Sequence, residues 1–123
     1  MPPDVFIGTD IVEISRIRDL IKSHPKRFIQ RTFSPKEQDY CQSKANISMH
    51  FAGRFAAKEA IKKALMTSGF NEPIAWLDME ILASEIGAPV VYLNRSKFQS
   101  LECKVSISHT VQTAIAFSIL QKK

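Results

Sequence analysis

Two carboxylates, a run of cations on one predicted helix and a serine–histidine pair on a predicted strand are the parts of this sequence that could do chemistry. Asp10 stands within Val5-Phe6-Ile7-Gly8-Thr9-Asp10-Ile11-Val12-Glu13-Ile14. A strand period of two puts it on the face of Phe6, Gly8, Val12 and Ile14, where a charge needs a partner or a metal. Glu59 is mid-helix. If the two carboxylates converge, a divalent ion such as Mg²⁺ relieves their repulsion, because it takes oxygen ligands and often bridges one or two carboxylates to water and substrate phosphate. The alternative is ordinary helix pairing, since Lys62 and Lys63 follow Glu59 by three and four positions.

Arg54, Lys58, Lys62 and Lys63 place four cations within ten residues, with Arg54, Lys58 and Lys62 rising one turn at a time. Such a stripe suits a phosphate-rich ligand, and it is equally the pattern of a solvated basic face. Val105-Ser106-Ile107-Ser108-His109-Thr110 reads as a strand with Ser106, Ser108 and Thr110 on one face and His109 on the other with Val105 and Ile107. Ser108 and His109 therefore point apart and do not form a nucleophile and base, and no Gly-x-Ser-x-Gly elbow exists. His109 at a strand end can still donate to a phosphate oxygen, or serve as a structural histidine. Walker and dinucleotide glycine motifs are absent.

The elements that must position these groups follow from pattern. Val5–Ile14 predicts a strand, and Ser15 is expected to cap a helix that Pro25 ends. Ser34-Pro35-Lys36-Glu37 reads as a capping box opening a second short helix. Asn46 to Met66 predicts the long helix of the domain, with Ala56, Ala57, Ala60 and Ala64 giving it a slim side. Leu77–Leu82 alternates as a half-buried strand, Gly87-Ala88-Pro89 is a turn, and Val90–Leu93 is a short strand. A short helix to Leu101 and two closing strands, Lys104–His109 and Thr113–Leu120, complete the chain. The expected class is α+β: a mostly antiparallel sheet, one long central helix and short flanking helices.

With 123 residues and 45% hydrophobic content, residues 1–123 form a single domain rather than a disordered chain. The net charge of +5 favours an anionic partner without naming it. Basic residues interleaved with aromatic ones on a strand are missing, which disfavours nucleic acid. No apolar run approaches a membrane span and no leader is visible, so a cytoplasmic protein with no membrane partner is the expectation. Cys41 and Cys103 lack the spacing of a zinc site or disulfide framework and read as buried or idle thiols.

Taken together, Gly8-Thr9-Asp10-Ile11-Val12-Glu13-Ile14, Phe51-Ala52-Gly53-Arg54-Phe55-Ala56-Ala57-Lys58-Glu59-Ala60 with Lys63, and Val105-Ser106-Ile107-Ser108-His109-Thr110 resemble one family. It is that of the holo-[acyl-carrier-protein] synthases, the short bacterial 4′-phosphopantetheinyl transferases, and order, spacing and length agree over the whole chain. The resemblance implies a fold of that kind and an activity: transfer of the phosphopantetheine arm of coenzyme A to a serine of apo acyl carrier protein, for fatty acid biosynthesis, releasing adenosine 3′,5′-bisphosphate. It implies that Asp10 and Glu59 hold Mg²⁺, with Lys63 joining them on the pyrophosphate. Arg54 and His109 are implied for the 3′-phosphate, with Lys58 as a neighbour in the coenzyme A site. Glu59, or a metal-bound water near it, is the implied base. Arg16, Leu20, Arg27 and Arg31 match positions that dock the acidic carrier protein. A homotrimer with active sites between subunits is implied as well, Asp10 coming from one chain and the Glu59 helix from its neighbour. The competing class is a non-catalytic basic module for nucleotides or acidic proteins. Two places depart from the family: Leu65-Met66-Thr67-Ser68-Gly69-Phe70 replaces a Gly-Thr-Gly loop that borders the coenzyme A phosphates, and Ala88 stands where Lys is common.

Overall fold

The computed structural model describes residues 4–123. Strand β1 (Val5–Glu13) leads into three short helices, α1 (Ile14–Ser23), α2 (Pro25–Thr32) and α3 (Pro35–Gln42), and then the long helix α4 (Ile47–Thr67). Strands β2 (Met79–Ala83), β3 (Pro89–Leu93), β4 (Leu101–His109) and β5 (Thr113–Lys122) complete it, with single 3-10 turns at Trp76–Asp78 and Ser96–Phe98. The strands form two antiparallel sheets, β1-β5-β4 and β2-β3. The expected class therefore holds.

Local corrections have clear causes. Pro25 does not simply end a helix; it sits in the first turn of α2, where its missing N–H costs nothing. Ser15 does not cap α1. Glu13 occupies that position, and the Ile14 N–H donates to Gln112 O at 2.9 Å, so the β4–β5 connection satisfies the helix start. Leu77 belongs to a 3-10 turn rather than to β2, and the helix expected before Leu101 is only the 3-10 turn Ser96–Phe98. The Ser34–Glu37 capping box forms as read; α4 also gains a cap that the sequence reading did not name, Asn46 Oδ1 accepting from Met49 N at 3.1 Å.

The middle of helix α4 is buried on all sides: every residue from Phe51 to Lys58 is buried. Its alanines face the inner side of the three-stranded sheet, and Gly8 is what allows β1 to lie against it. A Cβ at Gly8 would stand 1.9 Å from Ala60 O, far inside contact distance. Ser118 of β5, fully buried, donates its hydroxyl to Ala60 O at 2.9 Å and fixes strand to helix. The core closes beneath with Ile14, Ile17, Phe33, Phe51, Met79 and Ile81. The outer face of the three-stranded sheet is open. Ile7, Ile11, Ile115, Phe117 and Ile119 are all at least 40% exposed there.

Candidate functional site

The close approach of β1 to α4 brings Asp10 to that helix within one chain. Lys63 Nζ donates to Asp10 Oδ1 at 3.1 Å and to Thr9 O at 3.0 Å. Asp10 and the Glu59 helix thus meet in a single chain, correcting the expectation that they arrive from different ones. Glu59 lies one turn before Lys63 and is half-buried. Helix pairing does not consume the lysines beside it, since Lys63 turns to Asp10 and Lys62 lies over the Trp76 ring at 4.2 Å. Among the described residues no group of three or more His, Cys, Asp and Glu could hold a metal. The carboxylates on this flank are Asp10 and, one turn before Lys63 on α4, Glu59. That number and type fit Mg²⁺ completed by water and phosphate, not a zinc-like site.

Arg54 and His109 form a second centre. They line a pocket of about 170 Å³ with Tyr40, His50, Gly87 and Pro89. Arg54 is 7% exposed and its Nε has no hydrogen-bond partner, an orphaned buried donor that an incoming anion would satisfy. Its guanidinium lies over the Tyr40 ring at 4.2 Å, and Lys44 lies 4.4 Å from the same ring. Burial first, then the charges of Arg54, Lys44 and His109, hold the His50 pKa below the ordinary histidine value. His50, Tyr40 and Lys44 were missed in the sequence. His50 had a signal, standing one helical turn before Arg54 on the same stripe.

The two centres lie on opposite flanks of α4. Arg54 and Lys63 are nine positions apart on a helix of about 3.6 residues per turn, half a turn out of phase. Asp10 is on β1 and His109 on β4, the two outer strands flanking β5. One chain therefore presents a carboxylate flank and a cationic-pocket flank, not one enclosed site.

Lys58 belongs to neither, a correction to its expected place in the coenzyme A site. It is fully buried, its Nζ donating to Thr32 O at 2.6 Å, Glu37 Oε1 at 2.8 Å and Trp76 O at 3.2 Å. Glu37, also fully buried, accepts further from Ser34 N and Ile81 N, each at 2.8 Å. All three ammonium protons are used inside the core, so the cation ties α4 to its neighbours. Burial lowers the Lys58 pKa and the Glu37 charge opposes that shift. The cationic stripe thus divides three ways, into pocket, core and a cover for Trp76.

The loop after α4 is a helix cap. Phe70 N donates to Leu65 O at 3.1 Å and Gly69 N to Met66 O at 3.0 Å, with Gly69 at φ 101°, the Schellman arrangement. Its backbone donors are spent on the helix. The turn holding Ala88 does reach the rim of the Arg54 pocket, through Gly87 and Pro89. Arg16 and Leu20 line a shallow groove on α1, with the Arg16 guanidinium 5.9 Å from the Phe55 ring centroid. Arg27 and Arg31 are exposed one turn apart on α2. Cys41 and Cys103 are free and buried, and burial pushes both thiols up to about 12.

Residues 6–117 match the family described as the 4′-phosphopantetheinyl transferase superfamily. The chain is 46% identical over 116 residues to the holo-[acyl-carrier-protein] synthase of Protochlamydia amoebophila, covering 92% of this chain and 94% of that one. It superimposes on the Helicobacter pylori holo-[acyl-carrier-protein] synthase in complex with coenzyme A with a TM-score of 0.80 and 37% identity, over 91% of this chain and 96% of that one. The Chronobacterium ammoniagenes ACPS–CoA complex matches with a TM-score of 0.83 and 27% identity, over 98% of both chains.

Proposed function

This chain belongs to the 4′-phosphopantetheinyl transferase superfamily, and from that premise we propose how its geometry serves phosphopantetheine transfer from coenzyme A to apo acyl carrier protein. The carrier serine oxygen forms a bond to the phosphorus bearing the pantetheine arm. The bond from that phosphorus to the bridging oxygen breaks, and adenosine 3′,5′-bisphosphate leaves. The observation that carries this reading is the pairing of Asp10 with Lys63, one turn from Glu59.

Asp10 and Glu59 would hold Mg²⁺, which when bound supplies positive charge against the pyrophosphate oxygens. Lys63, already turned to that point, holds the pyrophosphate in register. A water beside Glu59 takes the serine proton, because a carboxylate spent on a cation is a poor base. Arg54 and His109 hold the 3′-phosphate, filling the pocket where the Arg54 donor is unpartnered. Arg16, Leu20, Arg27 and Arg31 meet the carrier protein, where exposed cations raise encounter rate and fix register more than they add affinity.

The opposite placement of the two centres on α4 favours a site completed by a second copy: the carboxylate flank of one chain facing the phosphate pocket of the next. Three copies closing over the apolar outer sheet face would cover Ile7, Ile11, Ile115, Phe117 and Ile119. Substituting Asp10→Asn tests the assignment against a non-catalytic basic module. Release of adenosine 3′,5′-bisphosphate should fall by at least about a hundredfold, the usual scale for a lost charge-stabilising group, while carrier protein still binds. Unchanged turnover would remove Asp10 from the chemistry.

A further inference from the structure

The pocket beside Arg54 contains a basic group that the phosphate assignment above does not use. His50 closes the first turn of α4, one turn before Arg54, its ring edge-on to Tyr40 with centroids 5.8 Å apart. Three elements face it: Arg54 from its own helix, Tyr40 from α3 and His109 from β4, with Lys44 on the connection between α3 and α4. None of the residues lining this pocket is a carboxylate. The positive end of α4 adds to the same field. At about 30 Å³ per water, a volume of about 170 Å³ admits one phosphate group and not a nucleoside.

We propose that His50 is a third ligand-binding side chain of this pocket, donating with Arg54 and His109 to a terminal phosphate monoester and taking up a proton as the phosphate enters. The inference rests on the coenzyme A reading above and adds a residue and a proton to it. The physical cause is balance of charge. With the pocket empty, His50 is surrounded by cations and partly desolvated, which favours neutral imidazole. A phosphate monoester carries a charge of about −1.5 to −2 near neutral pH and three acceptor oxygens, which reverses the sign of the field at the ring. Arg54 brings a donor with no other partner, Tyr40 holds the guanidinium plane and packs against His50, and the imidazolium supplies another donor.

The test uses adenosine 3′,5′-bisphosphate as probe, with adenosine 5′-phosphate as the analogue lacking the 3′ group, on the full chain. NMR follows the imidazole resonances of His50 with pH, assigned by their loss in His50→Gln and His50→Phe. The His50 pKa should rise by about one unit or more on saturation with the bisphosphate, one unit corresponding to a tenfold preference for the protonated form. His50→Gln should bind the bisphosphate about tenfold more weakly near pH 6 and within about twofold of wild type near pH 8. Adenosine 5′-phosphate should bind wild type and variant alike. A His50 titration unmoved by saturating bisphosphate, or equal affinity of the variant at both pH values, overturns the proposal and leaves the coenzyme A reading standing. Failure of the wild type to bind either the bisphosphate or coenzyme A overturns both. The wild-type titration decides the matter even if a variant fails to fold.

Discussion

Replacing Lys58 by methionine separates a structural from a ligand-binding lysine. Methionine fills most of the space of the lysine stem, so the loss is polar rather than a cavity. Three carbonyl or carboxylate contacts at 2.6–3.2 Å disappear, and the Glu37 carboxylate remains fully buried without its counter-charge. Breaking one side of such a pair costs about 3–5 kcal/mol. For a chain of this size that corresponds to a fall in Tm of about 12–20 °C. Glu37→Gln should do similar damage: both carboxylate oxygens face only donors, Lys58 and Ser34 N on one and Ile81 N on the other, so either amide orientation sets NH₂ against a donor. The double variant Lys58→Met/Glu37→Gln removes the orphaned charge, so its loss should fall short of the summed single losses by at least about 2 kcal/mol. Urea and thermal denaturation read these values, alongside KM for coenzyme A. A Lys58→Met protein within about 2 °C of wild-type Tm, with KM for coenzyme A raised, would refute the reasoning and return Lys58 to the ligand.

Gly8→Ala drives a Cβ to 1.9 Å from Ala60 O; a loss of at least about 3 kcal/mol in urea unfolding is expected, with transfer activity reduced in the folded fraction because Asp10 shifts with β1. Phe117→Asp places a charge on the open apolar sheet face; light scattering should show the three-copy assembly proposed above, at three times the 13.9 kDa chain mass, replaced by monomer, and an unchanged mass would exclude that face as the contact. For His50 the sign follows from its lowered pKa. The unfolded chain takes up this proton near the ordinary value of 6.5 and the folded chain only at lower pH, so between those values stability falls as pH falls. The pH dependence of Tm should therefore be shallower in His50→Gln below about pH 6.5, and parallel curves would contradict the assignment.

The long helix, the closing strands and the place of Asp10 were legible because each rests on local pattern: a period of 3.6 through Ile47, Phe51 and Phe55 with no proline, a period of two through Gly8 and Asp10. The fate of each cation on α4 was not. A helix buried through its middle gives a basic stripe the same spacing whether its members meet solvent, a ring or a buried carboxylate, and only the packing of α2, α3 and β2 sends Lys58 to Glu37. The capping box at Ser34 was read correctly, yet nothing local showed that its Glu37 would accept a lysine 21 positions away. His50 carried only its one-turn spacing to Arg54; its other neighbours come from α3 and β4, far apart in sequence. The division of the two centres between opposite flanks of α4 was open to reading from the half-turn offset of Arg54 and Lys63, once the helix itself was certain.

Intact-mass analysis of purified apo acyl carrier protein incubated with this protein, coenzyme A and Mg²⁺, beside an EDTA control, tests the central claim most directly. The account predicts a gain of about 340 Da, one phosphopantetheine on serine, abolished by EDTA and by Asp10→Asn. A folded protein that binds coenzyme A and leaves the carrier mass unchanged would contradict it.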